Sequence, residues 1–583
     1  MPVPGSDDRM AMPLLMRSLI CPLLMIVSAI LLAAVPAACD RGWNARERET
    51  VRQTLAQIQA DAETAGAARP PEPPTLEAVE EEGTVRLDLV DAIRLALANN
   101  QDIQISGYEA LRAEADLVAA QAVYDPAVVA SNTFGRSKRP TASTLDTGVI
   151  TDTHLTEDTW EFSGGLRQRL ATGGTFTLTQ QMDYLDTNSR LIIPNPQYSS
   201  GLTFEASQPL LKNFGDPEAQ SAIRIATVST GVSLHDFRQK TAEIVARVVA
   251  AYWQLVFDRQ SVEVFRESAD QAREILRRET ARAERGISNN LNIARAESTL
   301  ASREVQVVRG ENRARDSADA LKRLLSAPQI PVQGRAEILP TRTPRFFQVD
   351  VDRQEAMAQA LARRPELARA RGVIDASRIR VDVADRQRLP RLDALLRYTL
   401  NGLGNDLGGA LDMQDFRDPV TWVAGLELEW PLGNRAARAE LLRRRAEYEQ
   451  TLLEADRLAD QVMEEVSVAA RAVERGRGEV ESTLRAQTAA QTVLEGEQTR
   501  LELQPMDRRS NEDLLRALDQ LTQARRDHLV ALLNFNLALA ELARARGTLL
   551  EDEGIEVIWP EADRTDPLVP VEARLPAEPA PPK

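Results

Sequence analysis

The sequence predicts a mainly helical fold with amphipathic β-strands, in which one plan of long helical hairpins and strands is laid down twice. Residues 92–103 match residues 356–367 at an offset of 264 positions, and residues 292–304 match residues 513–525 at an offset of 221. Apolar residues recur with helical spacing over very long runs, and between these runs the spacing changes to every second residue. The chain is therefore expected to repeat the same helix and strand order in its two halves.

The N-terminus resembles a lipoprotein signal. Arg9 and Arg17 precede the apolar run 19–35, which ends in small residues before Cys39. In such signals the cysteine receives a lipid before cleavage, so we expect residues 1–38 to be removed as a signal peptide, leaving Cys39 as an acylated, palmitate-bearing N-terminus. The alternative is an uncleaved membrane anchor, or an ordinary secretory signal with a chance cysteine.

Two proline-rich segments flank the predicted repeats. Residues 39–83 are expected to form a lipid-anchored linker, and residues 559–583 a tail, because neither can bury enough apolar surface to fold alone. The first helix-strand-helix repeat is predicted over 84–330 and the second over 331–558.

The first repeat changes its spacing twice. Its first helical pattern ends at Asp125-Pro126, since proline disfavours helical geometry in the residue before it. Alternating strands follow from Val128, and Gly173-Gly174 between two of them predicts a hairpin. Helices are predicted over 87–124, 215–285 and 289–327.

The second repeat follows the same order. Its last strand places Val420, Trp422 and Leu426 on one face, with tryptophans at both ends, which suits a transmembrane β-strand. Half-buried strands of a soluble sandwich would alternate in the same way. The predicted elements are helices over 351–389, 434–504 and 511–550, strands over 392–400 and 420–430, and a Gly-rich loop over 401–409.

The two longest predicted helices run about 70 residues, or roughly 105 Å at 1.5 Å per residue. No compact globular core needs that length. The shorter helices, stacked end to end in pairs, could cover each long helix over its whole span. Apolar seams that alternate spacings of three and four residues, as in 452–473, are typical of coiled coils. A plain intracellular coiled coil is the alternative for the helices alone.

Composition argues against catalysis and against nucleic acid. The chain has 87 acidic and 71 basic residues, a net charge of −16 that would repel polynucleotides. Its three histidines, His154, His235 and His528, lack metal-ligand spacing. Without a phosphate loop or a nucleophile-base motif, we expect no enzyme activity, no cofactor and no metal.

Residues 87–552 resemble the TolC-like outer-membrane efflux channel family, in its lipid-anchored form. The resemblance rests on the duplicated plan, the helix-ending Pro126 and Pro390, QPLLKNFG from Gln208, and WPLGNR from Trp430. It implies a homotrimer in which long antiparallel α-helical hairpins form an α-barrel, capped by a transmembrane β-barrel in outer-membrane lipid. A closed barrel removes strand edges, whose unpaired backbone groups cost several kcal/mol each in lipid.

One departure from the family concerns the strands. The family usually has four strands per protomer, but here about 90 residues separate Pro126 from the long helix in the first half, against about 45 in the second. The excess includes an additional possible hairpin. This hairpin either widens the barrel or extends an outer loop.

The resemblance also implies a periplasmic gate at the helix tips. Asp513 matches the first acidic ring position and Arg509 the gating arginine, whereas Arg516 replaces the second acidic residue. Three Asp513 side chains near the axis would create a negative field that favours cations. The alternative is that Asp513 only helps to begin a helix, as part of SNED at 510–513.

The turns at the helix tips complete the candidate site. Gly286, followed by Ile287, keeps the family's turn glycine in the first half, and Asp507 replaces it in the second. The resemblance implies that these positions contact a periplasmic adaptor protein.

The implied function is a passive exit duct of a tripartite efflux or type I secretion system. It would lie in the cell outer membrane, extend into the periplasm, and couple through the adaptor to an inner-membrane transporter. Two rivals remain. A lipid-anchored periplasmic adaptor would carry one hairpin and a small β-domain, and a coiled-coil envelope tether would need no alternating strands.

Overall fold

A computed structural model describes ten stretches of the chain: 79–80, 83–141, 143–148, 153–285, 289–334, 336–344, 346–414, 419–503, 510–558 and 572–575. The predicted signal peptide, Cys39 and nearly all of the linker lie outside these residues. Most of the predicted tail does so too.

Helices dominate the described residues. Two have 68 and 69 residues and are each about 100 Å long at 1.5 Å per residue. The helices are α1 (Leu89–Asn99), α2 (Gln101–Gln121), α3 (Thr144–Thr147), α4 (Pro217–Glu284), α5 (Asn290–Leu325), α6 (Arg353–Arg363), α7 (Pro365–Arg386), α8 (Leu407–Asp412), α9 (Arg435–Leu503), α10 (Ser510–Arg546) and α11 (Leu549–Asp552).

Each long helix packs laterally against shorter ones. Helix α4 forms a hairpin with α5 and also contacts α1 and α2, while α9 forms a hairpin with α10 and contacts α6 and α7. In α4, the apolar residues Val245, Val248 and Tyr252, which are spaced three and four apart, are fully buried. In α9, Val462 and Val466 are buried in the same way. Burying each such side chain contributes about 1.5–3 kcal/mol, which fixes these faces against their neighbours.

Three predicted helices are interrupted in the structure. The helix predicted over 511–550 ends at Arg546, because Gly547 has a left-handed backbone with φ of 74°, and α11 begins separately at Leu549. The prediction of one helix over 87–124 is wrong at Asn100, whose extended backbone lets its side chain accept hydrogen bonds from the amides of Asp102 and Ile103 at 3.0 and 3.3 Å. The prediction over 351–389 is wrong at Arg364, which precedes Pro365 and is also extended. The helix after Asn100 is capped by the Asn100 side chain, whereas the helix after Arg364 has no side-chain cap and begins with Pro365.

The bounds of several elements recur at the offsets found in the sequence. Helices α1 and α6 begin and end 264 positions apart, and both are capped by an aspartate, Asp88 and Asp352, whose side chain accepts amide hydrogen bonds. Helices α5 and α10 end 221 positions apart. Matching sequence and matching local structure therefore coincide.

The strands among the described residues form three sheets. The strands are β1 (Val79–Glu80), β2 (Thr84–Leu87), β3 (Ala127–Pro140), β4 (His154–Arg169), β5 (Thr175–Thr187), β6 (Gln197–Pro209), β7 (Glu337–Pro340), β8 (Arg391–Gly404), β9 (Val420–Glu429), β10 (Glu556–Ile558) and β11 (Glu572–Arg574). Six of them form one antiparallel sheet in the order β3-β4-β5-β6-β8-β9, and the two smaller sheets are β1-β2-β7 and β10-β11.

The Gly-rich loop predicted over 401–409 is only partly a loop. Strand β8 continues to Gly404, and helix α8 begins at Leu407. A side chain at Gly402 would collide with the carbonyl of Ala410, which also accepts a hydrogen bond from the Ser200 hydroxyl at 2.7 Å. The glycines therefore allow α8 to approach β8 and β6 closely.

The register of the sheet separates an apolar face from a polar one across all six strands. One row of directly paired residues on the apolar face is Val128, Leu166, Leu178, Phe204, Tyr398 and Trp422. The adjacent row on the opposite face is Val129, Gly165, Thr179, Thr203, Thr399 and Thr421. This alternation gives the sheet a continuous apolar band on one side.

Candidate functional site

The first part of the candidate site lies at the hairpin tips, where α4 gives way to α5 and α9 to α10. Of the site residues predicted from sequence, Asp513 is described, in the first turn of α10. The others, Arg509, Gly286, Ile287 and Asp507 at the tips and Cys39 at the lipid attachment site, lie outside the described residues.

Asp513 lies between two guanidinium groups. Its Oδ2 is 3.9 Å from Nη1 of Arg500 in α9, and its Oδ1 is 3.8 Å from Nη1 of Arg516, one turn further along α10. Arg516 stands where the family has a second acidic residue. Its guanidinium also partly neutralises the charge of Asp513. A carboxylate in the first turn also suits the positive end of the helix dipole. The role of Asp513 as a gate residue stays a prediction.

Among the described residues, three ion pairs join the first hairpin to α10 of the second, and we call them the tip ladder. They follow one another along α10, starting beside Asp513. Because every pair crosses between hairpins, all three would break if the hairpins separated. The pairs are Arg295 with Glu512, Arg303 with Asp519, and Arg525 with Glu267.

The middle pair of the tip ladder is the least exposed on its arginine side. Only 12% of the Arg303 side chain is exposed, and this burial lowers the pKa of its guanidinium. Desolvation therefore opposes the charged form of Arg303, and the carboxylate of Asp519 is the opposite charge that lies against it. Arg303 thus depends on its partner across the hairpins.

Apolar packing backs the tip ladder. Ile275 of α4, Leu494 of α9, and Leu514 and Leu518 of α10 are buried together. Beside them the Thr522 hydroxyl lies 3.2 Å from the Ser268 hydroxyl, in a buried contact between α10 and α4. The tips are therefore held together by a small apolar core with ion pairs beside it. Like charges introduced at these ion pairs would repel each other and could separate the tips.

Sequence reasoning missed the tip ladder. The 221-residue offset places Arg295 opposite Arg516 in the duplication, and neither this match nor any motif indicates Glu512 or Asp519 as ion-pair partners. One signal was available: Glu512 and Asp519 are seven residues apart, so both carboxylates lie on one face of α10. Their partners could not be found without knowing how the hairpins are placed side by side.

The second part of the site is the joint between the sheet and α4. Asp216, at the N-terminus of α4, has a left-handed backbone with φ of 46° and is only 2% exposed. Its Oδ1 accepts a hydrogen bond of 2.5 Å from Nη2 of Arg169, at the end of β4. Burial and this carboxylate raise the pKa of the Tyr124 hydroxyl. The joint links the end of β4 directly to the start of α4.

Among the described residues, no three His, Cys, Asp or Glu side chains are grouped so that they could hold a metal ion. In the same ranges, no helix combines the length and the apolar character needed to cross a bilayer.

Comparison with known families identifies the fold. Residues 194–327, which run from the loop before β6 through α4 and α5, match the model of the outer membrane efflux protein family. The resemblance to TolC-like outer-membrane efflux channels is confirmed. Curated proteins give no match to the chain.

Solved structures of outer-membrane channels share the mainly helical fold with its sheet. The CmeC channel of Campylobacter jejuni superposes with a TM-score of 0.57 and 16% identity, covering 79% of this chain and 86% of CmeC. VceC of Vibrio cholerae gives 0.56 and 14%, covering 79% of this chain and 96% of VceC. The MtrE channel of Neisseria gonorrhoeae gives 0.55 and 16%, covering 82% and 98%.

Proposed function

We propose that this protein is the outer-membrane exit duct of a tripartite efflux or type I secretion system. The observation that carries the proposal is the continuous apolar band across six antiparallel strands, joined directly to helices of about 100 Å. Such a band suits hydrocarbon, and such helices suit the width of a periplasm. The match to an outer membrane efflux protein family supports both assignments.

The open strand edges favour a homotrimer. Among the described residues, β3 pairs with β4 and β9 with β8, so each edge strand keeps one side for another partner. In lipid, unpaired backbone groups cost several kcal/mol each, and closure of three sheets into one β-barrel would satisfy them. The recurring element bounds support a two-fold internal repeat, whose four helical struts per copy would form the α-barrel.

The tip ladder suits a closed gate. In the proposed trimer the hairpin tips would converge at the periplasmic end, where Asp513 and Arg509 would line the constriction. Opening requires the two hairpins of each copy to move apart, and that movement breaks the ion pairs of Arg295 and Arg303. The turns at Gly286, Ile287 and Asp507 would contact the periplasmic adaptor. Adaptor binding there would change the positions of the helix tips and so affect the gate.

The proposed duct performs no chemistry. An inner-membrane transporter would supply the energy, the adaptor would couple it, and the channel would give a passive path to the outside. The N-terminal segment fits this location if residues 1–38 are cleaved and Cys39 is acylated, leaving the linker 39–83 to tether the channel to outer-membrane lipid.

The rival functions fit less well. An adaptor carries one helical hairpin, whereas this chain has two, α4–α5 and α9–α10. An envelope tether needs no sheet with an apolar band, and this chain builds one from six strands. The outer-membrane channels that share the fold also favour the duct.

A test of the duct uses the full chain purified from membranes. We expect it in the outer-membrane fraction as a heat-modifiable trimer that conducts ions in planar bilayers. A deletion strain should become sensitive to toxic compounds or lose a secreted protein. A monomeric, water-soluble product without conductance would contradict the proposal. Labelling with radioactive palmitate, lost in Cys39→Ser, tests the anchor separately.

A further inference from the structure

The β4–β5 hairpin occurs only in the first half of the described chain. Strands β3 and β8 begin and end 264 positions apart, so they are counterparts. Strands β6 and β9 are counterparts as well, because each leads into a long helix. Between β8 and β9 the described residues hold only the short helix α8. The hairpin is therefore an addition to a shared plan.

The faces of the hairpin match those of its neighbours. Trp160 and Phe162 of β4 and Leu178 and Met182 of β5 lie on the apolar face of the sheet, in the same rows as residues of β3 and β6. Pairing runs along nearly the whole hairpin, from Arg167 to His154 against β3. An outer loop surrounded by water would gain nothing from an apolar band in register with the sheet.

The inner turn of the hairpin is seated on the joint between β6 and α4. The Thr172 carbonyl accepts hydrogen bonds from the Gly215 amide and the Gln208 side chain, each at 2.9 Å. Gly173 has φ of +84°, and a side chain there would collide with the carbonyl of Asn213. Strands β4 and β5 thus turn at the level where β6 leaves the sheet, so they span its full height.

We propose that the β4–β5 hairpin is part of the pore wall, and that three copies of the six-stranded sheet close an eighteen-stranded outer pore. This inference rests on the proposed function. Barrel diameter grows roughly linearly with strand number, so this pore would be about 1.5 times as wide as one of twelve strands. Barrels of about sixteen to eighteen strands leave an aqueous channel.

A pore wall that includes the β4–β5 hairpin also determines which solutes the outer pore admits. The face opposite the apolar band carries Thr203 and Thr399, 3.1 Å apart, and the paired Glu205 and Arg397 at 2.9 Å. A wide lumen lined by hydroxyl groups and balanced charges would pass bulky hydrophilic solutes, including polymers too wide for a twelve-stranded barrel. The outer pore would then never be the narrowest point.

Polymer exclusion in planar bilayers tests the width. Polyethylene glycols of graded size are added on the β-barrel side of the full chain, and of a variant whose residues 141–196 are replaced by a short Gly-Ser linker joining β3 to β6. We expect the excluded radius to be about 1.5-fold larger for the full chain. Polymer added at the helix-tip side is the control, because the deletion should leave that cut-off unchanged. Equal cut-offs on the barrel side would overturn the inference.

Cysteine pairs in otherwise intact trimers decide the question if the deletion variant fails to assemble. Ser131→Cys with Ser163→Cys, and Thr179→Cys with Thr203→Cys, oppose each other in the sheet and should form disulfides. If the hairpin were an outer loop, β3 would lie beside β6, and Ser131→Cys with Thr203→Cys would link instead. That link, or the absence of both expected ones, would overturn the wall assignment.

The two proposals fail differently. Conducting trimers with a narrow outer pore would contradict only the proposal that the hairpin is part of the pore wall. Absence of conductance from the full chain would contradict the proposed duct function itself.

Discussion

Asn100 and Arg364 perform the same task at equivalent places in the two halves of the chain. The Asn100 side chain donates a 2.8 Å hydrogen bond to the carbonyl of Leu324, and Arg364 donates one of 3.4 Å to the carbonyl of Ala545. The donors are 264 positions apart and the acceptors 221, the two offsets of the duplicated sequence. In each half, the broken helix thus binds the end of the helix stacked against it.

Arg364 should contribute much more to stability than its neighbour Arg363. The Arg364 residue is 5% exposed and also donates to Glu366 and Glu465 at 2.9 and 2.7 Å, so Arg364→Ala leaves these carboxylates poorly paired. We expect a loss of about 3 kcal/mol in unfolding free energy. Arg363→Ala, which removes an exposed pair with Glu551, should cost under about 1 kcal/mol. Thermal unfolding followed by circular dichroism measures both variants. Equal losses of stability in Arg364→Ala and Arg363→Ala would contradict the prediction.

Charge reversal in the tip ladder should open the periplasmic end. Glu512→Arg with Asp519→Arg places like charges against Arg295 and Arg303, and repulsion should separate the hairpins. Single-channel recording should show more frequent and larger openings. Adding Arg295→Glu should restore closure in part.

A matched control for the tip ladder lies within one hairpin. Glu311→Arg breaks the exposed pair with Arg266, which joins α4 to α5 but does not cross to α10. It should leave the openings unchanged. If this control opened the channel equally, the effect would come from general loss of helix stability.

Asp513→Asn distinguishes the two roles considered for this residue. If three Asp513 side chains line the constriction, the substitution should lower the preference for cations over anions, measured from reversal potentials in a salt gradient. Asp527→Asn, also on α10, serves as the control. Unchanged selectivity together with a lower unfolding temperature would assign Asp513 to helix initiation alone.

The pairing of β6 with β8 gives a template for the seam between neighbouring copies. Phe204 opposes Tyr398 within the chain. Aligning QP at 208–209 with WP at 430–431 makes Leu426 the counterpart of Phe204, and the 264-residue offset makes Phe134 the counterpart of Tyr398. Leu426 and Phe134 are 72% and 61% exposed in one copy, as seam residues should be.

Disulfide formation checks this register. The double variant Leu426→Cys and Phe134→Cys should link neighbouring protomers into covalent trimers on denaturing gels. Gly425→Cys with Phe134→Cys places the thiols on opposite faces of the sheet and should link poorly. Stronger linkage in the second variant would mean that the seam has a different register.

The stability of the helical hairpin α9–α10 should fall as the pH drops below about 6.5, through His528. Burial lowers the pKa of His528, whose Nδ1 lies 3.2 Å from the Thr483 hydroxyl. The unfolded chain therefore takes up a proton at a pH where the folded one does not, and stability present above that pH is lost below it. Because one proton is involved, the loss cannot exceed about 1.4 kcal/mol per pH unit, and the exposure of the half-buried ring to water makes it smaller.

Comparing the protein with His528→Gln isolates this contribution, because other groups titrate in both. Unfolding midpoints are measured from pH 7.5 to pH 5. The difference between the two proteins should shift in favour of the variant as the pH falls. A constant difference would show that His528 titrates equally in both states.

The sequence predicted the long elements well, because their apolar spacing is repeated many times. The helix predicted over 215–285 is observed as Pro217–Glu284, and the hairpin predicted at Gly173-Gly174 is present. The breaks at Asn100 and Arg364 were missed, since one capping side chain or one proline weighs little against a continuous helical pattern. The sequence left open whether the added hairpin pairs with the other strands of the sheet, because strand pairing depends on residues far apart in the chain.

The candidate site was harder to predict for a physical reason. A carboxylate such as Asp513 can be aligned with a family position, but the pairing of Arg303 with Asp519 depends on how two hairpins are placed side by side. That placement results from packing over the whole length of α4 and α10. Local sequence carries no direct signal for it.

The one-sided position of the β4–β5 hairpin constrains symmetry. Two halves with identical strand content could assemble with six equivalent sectors, but an insertion in only one half makes neighbouring sectors unequal. If three such chains close the proposed ring, it would have strict three-fold order with alternating broad and narrow sectors. A partner that surrounds the ring would then meet two kinds of groove, and a partner built for one kind would bind in three copies rather than six.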